Sequence, residues 1–374
     1  MAQKLDSVLV QLSGTNTRNE AFDEVHRIGR RATHVLSHRF VLGDAKPVSL
    51  PESVPKALPS DLNLTERVSL AAAQLRSTVE DQKGRRSRRK KRTWDQEQAF
   101  SPDALDRSVR VAVTKPRPLS EYMIGKVAYA VIFVNGPGNR SFTEDEMIKP
   151  TADIQEALSW YADLEPRAHL SWFPEIHAVP IDEPVDLAST DLEALEAVWR
   201  DPIMKIFGFQ VGIDGVAAFA ESLRKQLQTD WSFVAFFTKY PIGGRDGADA
   251  YAETPRIVMA VDHDEGFVAS IKEVFAHEVG HIFGCLDEYV TSGCVCSEVS
   301  GYLDGPNGNC VTCNGAPASC VMLQEDLELC SFSRVQLGWR DSNGNGVLDP
   351  EDVEITFIAT ETDVLATPAS VLAR

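Results

Sequence analysis

The sequence predicts a mixed α/β fold of the α+β kind: a twisted sheet, a metal-site helix packed on it, and a small cysteine-rich C-terminal part. Three observations carry this expectation. KVAYAVIFVNG (126–136) is a run of branched and aromatic residues ended by Gly-Pro-Gly, the pattern of a buried strand. Further strand-like runs alternate with helical periodicity up to about residue 262, which points to a sheet layered with helices. All seven cysteines fall between residues 285 and 330, so they staple one local region.

Taken in order, the first hundred residues read as a separate, propeptide-like unit. The proline-rich stretch 42–62 is an extended connector, and a helical segment follows around 64–82. In KGRRSRRKKR (83–92), eight of ten residues are Arg or Lys. Two readings of that run stay open: a solvated linker held unfolded by like-charge repulsion, or a protease-sensitive junction ahead of a mature enzyme. From about 108 the pattern becomes compact. Residues 144–164 read as a helix, with a start after Pro150 as the alternative. Short strands are expected at 168–173 and 176–181, and a helix near 190–199. Next come a helix at 216–228, strands at 231–240 and 256–262, and the motif helix from about 267. The expected units are 1–107, a main domain at 108–340 that divides after residue 284, and a tail at 341–374. No internal repeat is present.

Composition excludes several function classes. At 43% hydrophobic and 25% charged, the chain can bury a core and is not wholesale disordered. No apolar run approaches the roughly 18 residues of a membrane span. The N-terminal MAQKLDSVLVQLSG lacks the pattern of a classical signal peptide. That conflicts with the oxidising compartment that disulfides imply, so localisation stays open between a non-classical export route and the cytoplasm. Residues 1–100 hold 18 Lys+Arg against 12 Asp+Glu, whereas the rest hold 19 against 43. An acidic body repels phosphates, which argues against nucleic acid as the main partner and favours contact between the two halves.

The chemistry centres on FAHEVGHIFGCLDEY (275–289). On a helix His277 and His281 project from one face, so both imidazoles can reach one ion. Ile271, Phe275, Val279 and Ile282 form a separate stripe suited to packing on the sheet. Glu278 is better placed to serve a bound water as a base than to ligate. Gly284 can end the helix in a left-handed turn, and the chain then reverses to Asp287 and Glu288. Zn2+ suits three such ligands plus a water.

At these residues the sequence resembles the metzincin clan of zinc endopeptidases, whose pattern is HExxHxxGxx followed by a third ligand. The aspartate in third-ligand position resembles the snapalysin type, and GHIFGCLDEY is similar to the bacterial IgA-peptidase-like family. The resemblance implies a zincin-like sheet with an active-site helix, Glu278 as catalytic base, and His277, His281 and Asp287 as zinc ligands, with Glu288 competing for the third place. It also implies that Met322 in Cys320-Val-Met322 lies in a tight turn beneath the metal, ahead of a helix entered through Cys330, Ser331 and Phe332. Tyr289 or Tyr302 stands in for an absent oxyanion tyrosine, and an extended substrate pairs with the sheet's edge, expected at 256–261.

Cys294, Cys296, Cys310 and Cys313 suit either a four-thiolate metal site or, with Cys320 and Cys330, three disulfides that leave Cys285 over. The resemblance favours the disulfides. In DSNGNGVLDPED (341–352), Asp341, Asn343, Asn345, Val347, Asp349 and Asp352 occupy the ligand positions of a Ca2+ loop, with Gly346 at its turn. The strand EITFIAT (354–360) is expected to follow. The function expected is a zinc-dependent endopeptidase acting on a protein or peptide substrate, made as a zymogen if the basic run is a processing junction. The alternatives are a non-catalytic zincin-fold protein-binding module and an amidohydrolase of non-peptide amides.

Overall fold

The structure, a computed structural model, describes residues 7–44, 60–80, 94, 119–182, 192–240, 242, 250–253, 255–260 and 271–352. The basic run 83–92, most of the proline-rich connector and the strand expected at 354–360 lie outside the described residues.

At the centre is strand β4 (Lys126–Asn135), buried along nearly its whole length. Its odd-numbered residues from Val127 to Phe133 enter one core, and its even-numbered residues from Ala128 to Val134 enter another. A period of two with both sets apolar requires a layer on each face, and both are present. Strand β5 (Ser171–Pro180) pairs parallel on one side of β4, and β6 (Trp231–Thr238) pairs parallel on the other. Beyond β6 come β8 (Arg256–Ala260), parallel, and then β7 (Ala250–Glu253), antiparallel. Beyond β5 come β2 (Ala32–Val35), β3 (Phe40–Asp44) and β1 (Ser7–Gln11). The result is an eight-stranded, mostly parallel sheet with helices on both faces. No described helix is long and apolar enough to cross a membrane.

Helix α3 (Glu144–Leu164) and helix α6 (Ile271–Ile282) cover one face, whereas α4 (Leu192–Ile206) and α5 (Ile213–Leu227) cover the other. Helix α1 (Arg18–Arg27) joins the second face, and α2 (Leu64–Glu80) lies on α3. In the C-terminal part, a two-stranded ribbon of β9 (Val299–Ser300) and β10 (Gly305–Pro306) precedes α7 (Ser331–Gln336).

Helix α3 spans the expected 144–164 and runs through Pro150, because Thr143 and Glu146 form a reciprocal capping box that fixes the start upstream of the proline. Three local expectations change. The strands expected at 168–173 and 176–181 are one strand, since Pro174 interrupts only its own N–H and β5 keeps its register to β4. The sheet edge near 256–261 is covered by β7, which becomes the edge strand. Residues 7–44, read as part of a separate unit, supply three strands to the same sheet.

Candidate metal centre

Helix α6 is positioned by both neighbours. Phe275 packs toward Phe233 of β6, and the Tyr161 hydroxyl of α3 donates to the Ala276 carbonyl at 2.7 Å. The helix is buried on nearly every side, not along one stripe, because α3 and the C-terminal part close over the face away from the sheet. It ends in a Schellman motif. Cys285 N–H donates to Gly280 at 2.9 Å, Gly284 N–H donates to His281 at 3.0 Å, and Gly284 has φ +93°. A Cβ at Gly284 would come within 2.9 Å of the Gly301 backbone, so glycine is required twice over.

The turn delivers Asp287 to the histidines. Its Oδ1 lies 3.2 Å from His277 Nε2 and 3.1 Å from His281 Nε2, and the two Nε2 atoms are 2.9 Å apart. Four-coordinate zinc with bonds near 2.0–2.1 Å separates its ligand atoms by about 3.3 Å, so this spacing fits a small cation. The tautomers fit as well. His277 Nδ1 lies 2.9 Å from the Val321 carbonyl, and His281 Nδ1 lies 2.9 Å from the Cys285 carbonyl. A carbonyl only accepts, so each Nδ1 carries the proton and each Nε2 turns a lone pair inward. Two lone pairs at 2.9 Å repel unless a cation or proton lies between them. Burial pulls the His277 pKa down, which favours the neutral imidazole a metal needs. Glu278 is fully buried on the same helix.

Glu288 does not join this group. Its carboxylate accepts from Asn309 Nδ2 at 2.5 Å and from Ser333 Oγ and Cys330 Sγ at 3.0 Å each. Burial, reinforced by the Cys330 thiol, pushes its pKa up to about 9. Glu288, Cys320 and Cys330 instead form a second cluster with ligand-type atoms within 4.8 Å of one another.

Met322 is buried, and its Sδ would lie 2.7 Å from a Cβ built on Gly280, so the helix tolerates the methionine only because that position is glycine. The turn carrying it contributes the Val321 carbonyl that holds His277. Tyr289 is buried with its ring 6.3 Å from that of His277, whereas the half-exposed Tyr302 packs on Tyr122. Cys294–Cys310 and Cys296–Cys313 are at disulfide distance, which disfavours the four-thiolate alternative. The expected third pair is not joined: Cys320 and Cys330 are in no disulfide, and neither is Cys285.

In the 341–352 loop, Asn343 and Asn345 converge on Asp352, and Asp341 accepts from Gly346 N–H and from Arg167. Val347 N–H donates to Asn345, while Asp349 turns to Arg340 and Ser342 instead of inward.

One contact was not foreseen. Trp94, two residues past the basic run, is fully buried, with its ring 5.1 Å from that of His277. Its indole N–H donates to Val321 O at 2.8 Å, and its backbone N–H donates to Leu323 O at 3.3 Å. A lone tryptophan beside a basic stretch was the available signal, since so large an apolar ring is seldom left in solvent. Comparison of the chain with protein-family models and with curated proteins returns no match.

Proposed function

We propose that the chain is a zinc-dependent endopeptidase with a metzincin-like site. The observation that carries the reading is the convergence of His277, His281 and Asp287, with both histidine Nδ1 atoms tied to carbonyls. A zinc ion held there would supply a Lewis acid and lower the pKa of a bound water from about 16 to around 7.

The chain's own residues divide the remaining work. Glu278, next to His277, accepts a proton from the attacking water and returns it to the leaving amine. Its burial favours proton transfer over solvation of a fixed charge. Among the described residues, strand β7 is one of the two terminal strands of the sheet, and it packs beside α6. An extended peptide pairing with that edge would lie along the metal helix, as in strand-addition recognition generally. Tyr289, buried near His277, is the candidate donor to a developing oxyanion. The calcium loop has a structural role in this reading.

The test is Glu278→Gln. Zinc content should stay near one equivalent per chain, while cleavage of casein falls by at least about a hundredfold. A variant that still digests casein at the wild-type rate removes Glu278 from the mechanism. Zinc binding without cleavage of any protein or peptide library by the wild type would favour the binding-module reading.

A further inference from the structure

We propose that Trp94 is a positioning residue of the metal centre, so the functional unit begins N-terminal to residue 94 and not at the boundary near 108 suggested by composition. This rests on the zinc reading above. Trp94 makes two hydrogen bonds to the turn, one to Val321 O and one to Leu323 O, which straddle Met322. A carbonyl oxygen has two lone pairs. Those of Val321 are used by His277 Nδ1–H and Trp94 Nε1–H. One backbone oxygen thus joins a metal-ligand histidine, the methionine turn and a residue far upstream, and the indole also packs edge-to-face with the His277 ring.

The two donors have opposing effects on His277. Sharing one acceptor weakens each bond, because each donor polarises the oxygen away from the other. Clamping the carbonyl fixes the imidazole's tautomer and direction, and loss of such an outer partner typically lowers metal affinity by about 10–100-fold. Orientation is the larger effect, so Trp94 strengthens metal binding. A cut anywhere within 83–92 leaves Trp94 on the C-terminal fragment. Processing at the basic run is therefore compatible with an intact centre, whereas loss of the chain through residue 94 is not.

The test uses the full chain. Trp94→Phe keeps a ring and deletes the indole donor. Trp199→Phe is the control for trimming a buried indole, because Trp199 packs on Phe236 in the core of the opposite sheet face. Zinc affinity is measured by competition with a chromophoric chelator, the ligand field by visible absorption of the cobalt-substituted protein, and stability by melting of the metal-free form. Trp94→Phe should bind zinc about tenfold more weakly and show a shifted cobalt spectrum. Trp199→Phe should match the wild type in both. Equal affinity and identical spectra for Trp94→Phe and wild type, or equal losses in both variants, would overturn the proposal. If Trp94→Phe does not fold, the wild type decides: the Trp94 indole 1H–15N signal must move on zinc addition while that of Trp199 stays, and a stationary Trp94 signal overturns the assignment. Absence of zinc binding by the wild type would instead refute the underlying zinc reading.

Discussion

At the scale of single residues, the instructive pair is Asp287 and Glu288. They are adjacent carboxylates, yet one meets two imidazoles and the other is enclosed by Asn309, Ser333 and Cys330. Asp287→Asn should abolish stoichiometric zinc binding, while Glu288→Gln should retain it, as read by metal analysis after dialysis. The opposite pattern would make Glu288 the ligand. The sequence carried both histidines because helical periodicity alone places them together. It did not decide between the carboxylates, because their directions depend on how the chain leaves the Gly284 turn. His34 makes a separate prediction. It is fully buried, and burial first, then the Arg76 charge, lowers its pKa well below 6.5. The folded chain therefore holds His34 neutral while the unfolded chain takes up a proton below about pH 6.5. Stability from this site is complete above that pH and falls by up to about 1.4 kcal/mol per pH unit below it. Denaturant titrations at pH 7.5 and 5.5 should show the loss in wild type and a smaller one in His34→Leu.

Among the elements, local chemistry sets the ends of helices more firmly than composition suggests. Pro150 invites a helix start after it, but the Thr143–Glu146 capping box sits about two turns earlier and prevails. Thr143→Ala should cost about 1 kcal/mol. Glu146 is held down to about 2 by the Thr143 backbone N–H and then by Lys239. Its contribution is present above the ordinary glutamate range and is lost as pH falls from about 4.5 through 2. Thermal melts of wild type and Glu146→Gln should therefore converge toward pH 2. At the C-terminal end of α6, Gly284→Ala meets both a left-handed backbone and the Gly301 contact. It should destabilise by about 1–2 kcal/mol from conformation alone, with zinc loss following the shift of the turn. That helix end was legible, because a glycine three residues after the second histidine has few other uses. The burial of the whole helix was not, since α3 reaches it from more than a hundred residues away in the chain.

Across the whole molecule, the two sulfur bridges tie down the small part that carries both the methionine turn and α7. They span 16 and 17 residues, a length at which one cross-link contributes about 3 kcal/mol in the chain-entropy account. Because the two loops interleave, breaking both should cost less than twice that. Melting with and without a reductant that does not bind metal should show the drop, and Cys294→Ser with Cys310→Ser should reproduce part of it. The clustering of cysteines was plain in the sequence, but pairing was not, because six thiols in 37 residues allow many partners. The charge asymmetry also has a structural counterpart: Arg18 bonds Glu175 and Arg67 bonds Glu144, joining the basic front end to the acidic body. What composition could not convey is that this front end extends the central sheet. Strand pairing over so long a separation leaves no local trace.

That pairing has a consequence in time. Ser171 Oγ donates to Ala32 O at 2.6 Å across 139 residues, beside the parallel contact of β2 with β5. The β2–β3 hairpin leaves the ribosome first, yet the edge it docks on does not exist until β5 has been made. At about 5–20 residues per second, the hairpin waits on the order of ten seconds with its hydrogen-bonding edge unpaired. Its final protection from solvent exchange should accordingly lag behind that of the β4–β6 pair during refolding, because distant contacts close late. Residues made well before their partners would thus be among the last to find their place.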